Sequence, residues 1–142
     1  MILYLDTSAL VKLLVQEAHS ERVREVAMRS SVIATHLITY AEACAAFARY
    51  ARFRRDKTLF QRLRRTLDRH WRQWDIVAAD ETLVRRAGEL AGRYGLRGYD
   101  SVHLAAVEAV REASQGAEFL FGVFDADLAH AARLAGFSLL DY

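Results

Sequence analysis

The chain contains no proline, one cysteine, and no apolar run long enough to cross a bilayer. Each absence excludes something. Without proline, repeats or low-complexity stretches there is no marked linker, so all 142 residues (1–142) are expected to form a single domain. A lone Cys44 rules out an internal disulfide and a multi-cysteine zinc site, and it suits a reducing, cytoplasmic setting. Charges interrupt every apolar stretch well short of the roughly 20 residues a spanning helix needs, so no membrane association is expected. Residues 1–5 are apolar but run directly into Asp6, unlike the basic start and long apolar run of a secretory signal.

What is present supports one sizeable core: 53% of residues are hydrophobic, beside an ordinary 27% charged. The net charge of +2 says little, but its distribution says more. Between Arg49 and Arg72 stand ten Lys or Arg residues against two acids, Asp56 and Asp68. Such a stretch reads either as a solvated helical surface or as an electrostatic footprint for nucleic acid.

Periodicity gives an alternating pattern. Short apolar strands are expected at 2–5, 31–35, 75–78, 119–124 and 137–140. Helices are expected at 9–15, 20–28, 38–53, 57–72, 81–94, 99–113 and 126–135. Continuous apolar strands separated by helices imply an α/β fold with a central parallel sheet flanked by helices on both faces. Ligands of such sheets bind beyond the carboxyl ends of the strands.

Four acids stand out against that frame. Asp6 and Asp125 each follow a strand directly, at the sheet's carboxyl edge. Glu42 has Ile38, Ala45 and Ala46 at helical neighbour positions, which places a carboxylate on an inward, apolar face. Asp100 opens a helix that is apolar almost all round and must therefore be buried. Asp6, Asp100 and Asp125 could each be simple helix N-caps. Glu42 has no such role, and an unpaired buried charge is too costly to keep. If several of these acids converge, a divalent cation resolves the problem. Magnesium prefers hard oxygen ligands, keeps several waters and polarises phosphoryl oxygens.

In these residues the sequence resembles the PIN-domain ribonucleases, and among them the VapC-type toxins of bacterial toxin–antitoxin pairs. The matching pieces are Asp6-Thr7-Ser8-Ala9-Leu10, Thr39-Tyr40-Ala41-Glu42, the run from Tyr99 through Asp100 to Ala105, and Val123-Phe124-Asp125-Ala126-Asp127-Leu128. Together, in order, they span nearly the whole chain. The resemblance implies a Rossmann-like PIN domain with a protruding helical pair. It also implies an acidic site of Asp6, Glu42, Asp100 and Asp125 for Mg2+ or Mn2+, with Thr7 or Ser8 orienting the attacking water. An RNA substrate, a cognate antitoxin and a homodimer follow from the same resemblance. One position departs from the family pattern: Val123 stands where a Ser or Thr often precedes the fourth acid, and Asp127 is close enough to share the role of Asp125.

Two other functions compete with an endoribonuclease. A phosphatase using Asp6 as nucleophile would want a second aspartate two residues on, where Ser8 stands. A catalytically silent RNA- or protein-binding module would act through the basic stretch alone. Among the remaining residues, His103 reads as a hydrogen-bonded packing residue on an apolar helix. Cys44 reads as a small buried hydrophobe. Phe47, Tyr50, Phe53, Trp71 and Trp74 read as core or dimer packing.

Overall fold

The computed structural model describes residues 1–140. Its strands are β1 (Ile2–Leu5), β2 (Val32–His36), β3 (Asp75–Val77) and β4 (Phe119–Gly122), all parallel and ordered β3-β2-β1-β4. Side chains alternate across a strand, and this sorts the core into two halves. Leu3 and Leu5 point into a layer formed by α1 (Thr7–Leu14), α2 (Ser20–Arg29), α3 (Thr39–Arg54) and α4 (Leu59–Trp71). Tyr4, Ala34 and Phe121 point the other way, against α5 (Glu81–Tyr94), α6 (Gly98–Ala113) and α7 (Ala126–Leu134). The sheet is therefore covered on both faces, as its continuous apolar strands require.

The α3–α4 hairpin turns through Arg55, whose φ of 51° is left-handed. Near the sheet the pair is anchored by fully buried Phe47 and Leu67, and by the Tyr40 hydroxyl donating to Asp68 at 2.6 Å. Away from the sheet, Arg52, Arg54, Arg55 and Lys57 are exposed. Phe53 goes with them at 84% exposure, so of its two expected roles, core or dimer packing, the core one does not hold. It falls on the solvent face of α3, beyond the reach of the α4 side chains that cover Phe47. Cys44 is half-buried rather than enclosed.

Two strand expectations change at the sheet's edge. Residues 137–140 do not form a strand: a single parallel bridge links Leu139 to Phe121, with Phe121 N–H donating to the Ser138 carbonyl at 2.9 Å. Their apolar character serves packing instead. Phe137 and Leu139 enter one half of the core and Leu140 the other, and a short apolar run cannot by itself distinguish these outcomes. Strand β4 also stops at Gly122, because the Phe124 N–H is taken by Ser8 Oγ at 2.8 Å.

Gly122 sits where β4 presses on the β1–α1 junction. A Cβ there would lie 3.0 Å from Leu5 Cδ2 and 3.2 Å from Ala9 Cβ. A larger residue would push Leu5 and Ala9 aside by a few tenths of an ångström where the two strand ends, each followed by a candidate acid, come together. No helix among the described residues is long and apolar enough to cross a membrane.

Candidate active site

β1 and β4 are neighbours, yet the chain leaves β1 towards β2 on one side and reaches β4 last on the other. That is a topological switch point, where a crevice opens at the strands' carboxyl ends. Asp6 and Asp125 stand on its two sides. With Glu42 from α3 and Asp100 from α6 they line one cavity of about 480 Å³, together with Thr7, Ser8, Lys12, Arg49 and His103. The four acids singled out in the sequence are thus brought together. Asp127 is exposed and is not among the lining residues.

Asp6 is the N-cap of α1: its Oδ1 accepts the Ala9 N–H at 2.9 Å. Ser8 Oγ donates to the same carboxylate at 2.7 Å, while accepting from Phe124, and so ties the β4 end to the β1 end. At 3% exposure, Asp6 is pushed up to about 6, mainly by burial. The charge of Asp125 adds to this, while His103, Ser8 and the Ala9 N–H pull back.

Glu42 is half-buried. Burial pushes its carboxyl up, but hydrogen bonds from His103 and Thr7 outweigh this and leave it below the ordinary value. Thr7 Oγ1 donates to Oε1 at 2.7 Å and His103 Nε2 lies 2.9 Å from the same oxygen. On its other side His103 meets the hydroxyl of fully buried Tyr4, with 3.1 Å between Nδ1 and oxygen. His103 is a buried hydrogen-bonded residue, as its apolar helix suggested, but its partner is a candidate ligand. Thr7 and Ser8 spend their hydroxyl protons on carboxylates.

The other two acids are held differently. Asp125 caps α7, accepting the Leu128 N–H at 3.0 Å. Asp100 does not cap α6, whose N-cap position is Arg97. Instead the Arg97 guanidinium spans both carboxylates, 3.4 Å from Asp100 Oδ2 and 3.5 Å from Asp125 Oδ2. Burial and the charge of Asp125 push the Asp100 carboxyl up, and Arg97 pulls it back. Arg97 is not among the candidate site residues read from the sequence. Its place three residues before Asp100 was the available signal.

Whether this cavity suits a divalent cation turns on its donors. All four acids offer hard oxygen, and Asp6 retains its proton to about pH 6 because burial leaves its charge uncompensated. Among the described residues no three His, Cys, Asp or Glu side chains are grouped closely enough to hold a metal ion as they stand. An open oxygen set fits magnesium or manganese, since magnesium keeps several waters and takes only a few carboxylates.

The chain belongs to the PIN-domain family, whose profile matches residues 3–134. Within it, the chain is 31% identical to Ribonuclease VapC45 of Mycobacterium tuberculosis (strain CDC 1551 / Oshkosh) over 139 residues, covering 95% of this chain and 92% of that protein. Ribonuclease VapC49 of strain H37Rv matches to the same extent. Among solved structures, M. tuberculosis VapC20, described as a Sarcin-Ricin loop cleaving toxin, superposes with a TM-score of 0.68 at 17% identity over 95% of each chain. VapBC2 from Rickettsia felis, solved bound to a DNA fragment from its promoter, gives 0.66 at 16% identity, covering 100% of this chain and 99% of that one.

Proposed function

We propose that the chain is a metal-dependent endoribonuclease that hydrolyses RNA phosphodiester bonds, acting in the cytoplasm as the toxin of a type II toxin–antitoxin pair. The observation that carries this reading is the convergence of Asp6, Glu42, Asp100 and Asp125 on one cavity at the switch point. Carboxylates grouped in this way repel one another and raise one another's pKa values unless a cation joins them. Bound there, Mg2+ or Mn2+ supplies Lewis acidity at the scissile phosphate. Asp6, Glu42, Asp100 and Asp125 would hold the ion, with Ser8 fixing the first and Thr7 the second. With the ion in place, Thr7 or Ser8 would orient the attacking water. Arg49 lies in the same cavity wall, and the exposed arginines of α3 and α4 continue the positive surface along which an RNA backbone would lie.

An antitoxin partner is supported by structural neighbours solved as toxin–antitoxin complexes. A homodimer is supported by exposed Leu37, Val84 and Tyr99 around a cavity of about 550 Å³ that also includes Ile38, Trp71 and Val102.

The test is total cellular RNA incubated with purified, partner-free chain, in Mg2+, in Mn2+ and in EDTA, beside Asp6→Asn and Asp100→Asn. Discrete fragments that need metal, and fall at least about a hundredfold in both variants, are expected. No cleavage by the folded chain under either metal, or cleavage that persists in both variants, would overturn the reading and leave an RNA- or protein-binding module.

A further inference from the structure

The hydrogen bonds around Glu42 are unevenly shared between its two oxygens. Thr7 Oγ1 and His103 Nε2 both approach Oε1, at 2.7 and 2.9 Å. Oε2 accepts no hydrogen bond from the described residues. An ionised carboxylate can only accept, so His103 Nε2 must carry a proton and donate it. The ring cannot turn away from this task. It is 2% exposed on α6, one helical turn beyond Asp100, and its Nδ1 is held by the hydroxyl of Tyr4 on the central strand. The Tyr4 and His103 rings meet edge-on, with centroids 6.2 Å apart. A line of contacts therefore runs from the middle of the sheet, through Tyr4 and His103, to one chosen oxygen of Glu42.

We propose that His103 is a positioning residue: anchored by Tyr4 and assisted by Thr7, it fixes the Glu42 carboxylate by Oε1 and leaves Oε2 as the oxygen available to a cation. This rests on the reading of Glu42 as a metal ligand. Partners of this kind set the orientation of ligands, and their loss weakens metal affinity by about 10- to 100-fold. His103 also joins two of the four acids mechanically. It sits on the same helix as Asp100 and grips the carboxylate of α3, so the spacing of Glu42 and Asp100 is set by one imidazole. Thr7 Oγ1 supports this bridge from α1, 2.7 Å from Glu42 Oε1 and 3.4 Å from His103 Nε2.

Side-chain reach separates this role from simple core packing. In His103→Gln the amide nitrogen falls near the position of Nε2 and can still donate to Glu42. In His103→Asn the same amide stops short of it. Both variants place a neutral amide in one buried pocket, so a packing or folding defect affects them alike. Tyr4→Phe removes a single oxygen and releases the ring's far side.

The experiment is Mn2+ titration of the partner-free chain, followed by electron paramagnetic resonance of the free ion, with circular dichroism to check folding and RNA cleavage measured across Mn2+ concentrations. We expect His103→Gln within about threefold of the parent affinity and His103→Asn about 10- to 100-fold weaker, with its cleavage recovering as Mn2+ is raised. Tyr4→Phe should fall between them. Parent-like affinity in His103→Asn, or equal losses in Gln and Asn variants that both fold, would overturn the positioning role while leaving the nuclease reading standing. Absence of saturable Mn2+ binding and of cleavage in the unmodified chain would overturn that reading, and this inference with it.

Discussion

Two pairs of carboxylates line the same cavity and are restrained by opposite means. Asp6 and Glu42 are gripped from inside the fold by short bonds from Ser8, Thr7, His103 and the Ala9 N–H, all on well-packed elements. Asp100 and Asp125 share one arginine whose side chain is 78% exposed and whose contacts are longer. Uncharged hydroxyl and amide donors with no freedom to move set geometry. A solvated guanidinium mainly balances charge, and solvent screens most of its energy. The first pair is therefore pre-organised, and Asp125 is partly so through its cap on the Leu128 N–H, whereas Asp100 is adjustable.

That contrast can be broken or sharpened by substitution. Thr7→Val keeps shape but deletes a donor to Glu42. Cleavage at limiting metal should fall about 10- to 100-fold with the melting temperature nearly unchanged, and equal activity in the two proteins would show that the inner bonds do not set geometry. Asp6→Asn tests the energetic side. The folded protein holds the Asp6 proton to about pH 6 while an unfolded aspartate releases it near 3.8, so folding stability is lost as pH rises between those values. With chelator present, the Asn variant should be more stable by about 3 kcal/mol at pH 8, and the difference should vanish below pH 3.8 in urea titrations. An unchanged difference across pH would mean that burial is not what raises this carboxyl. The smallest effect is expected for Arg97→Gln, with a stability change of about 0.5 kcal/mol or less that shrinks further in salt. A loss of several kcal/mol on denaturation would place Arg97 among the rigid restraints.

Most of the frame was legible before any coordinates. The apolar strands and the positions of Asp6 and Asp125 directly after two of them follow from local pattern. Glu42 is only half-buried, beside the buried stripe of Thr39, Ala43, Phe47 and Ala51, and its apolar neighbour Ala45 faces solvent. The cap reading of Asp6 and Asp125 holds, and it places both carboxylates at the strands' carboxyl ends, where an N-cap sits by construction. Partner choice was not legible. That Thr7 pairs with a residue 35 positions away, or that His103 bridges Tyr4 and Glu42, depends on how layers stack across the sheet. The failed strand at 137–140 and exposed Phe53 share a cause: hydrophobicity reports a wish to be buried, but the room left by other elements decides it. Gly122 belongs to the same class, as the crowding at its Cα appears only once Leu5 and Ala9 are packed against it.

The helix cap at Asp6 has a genetic consequence. Asparagine caps a helix as well as aspartate does, and one base change converts an aspartate codon to an asparagine codon. Such a mutation would remove the chemistry while leaving α1, the strand register and the outer surface in place. The substitution is confined to the cavity and leaves the exposed helix faces unchanged. Above pH 6 it would also fold more stably than its parent in the absence of metal. Disarming this protein is therefore a single downhill step for the lineage, and rearming it runs against the protein's own folding preference.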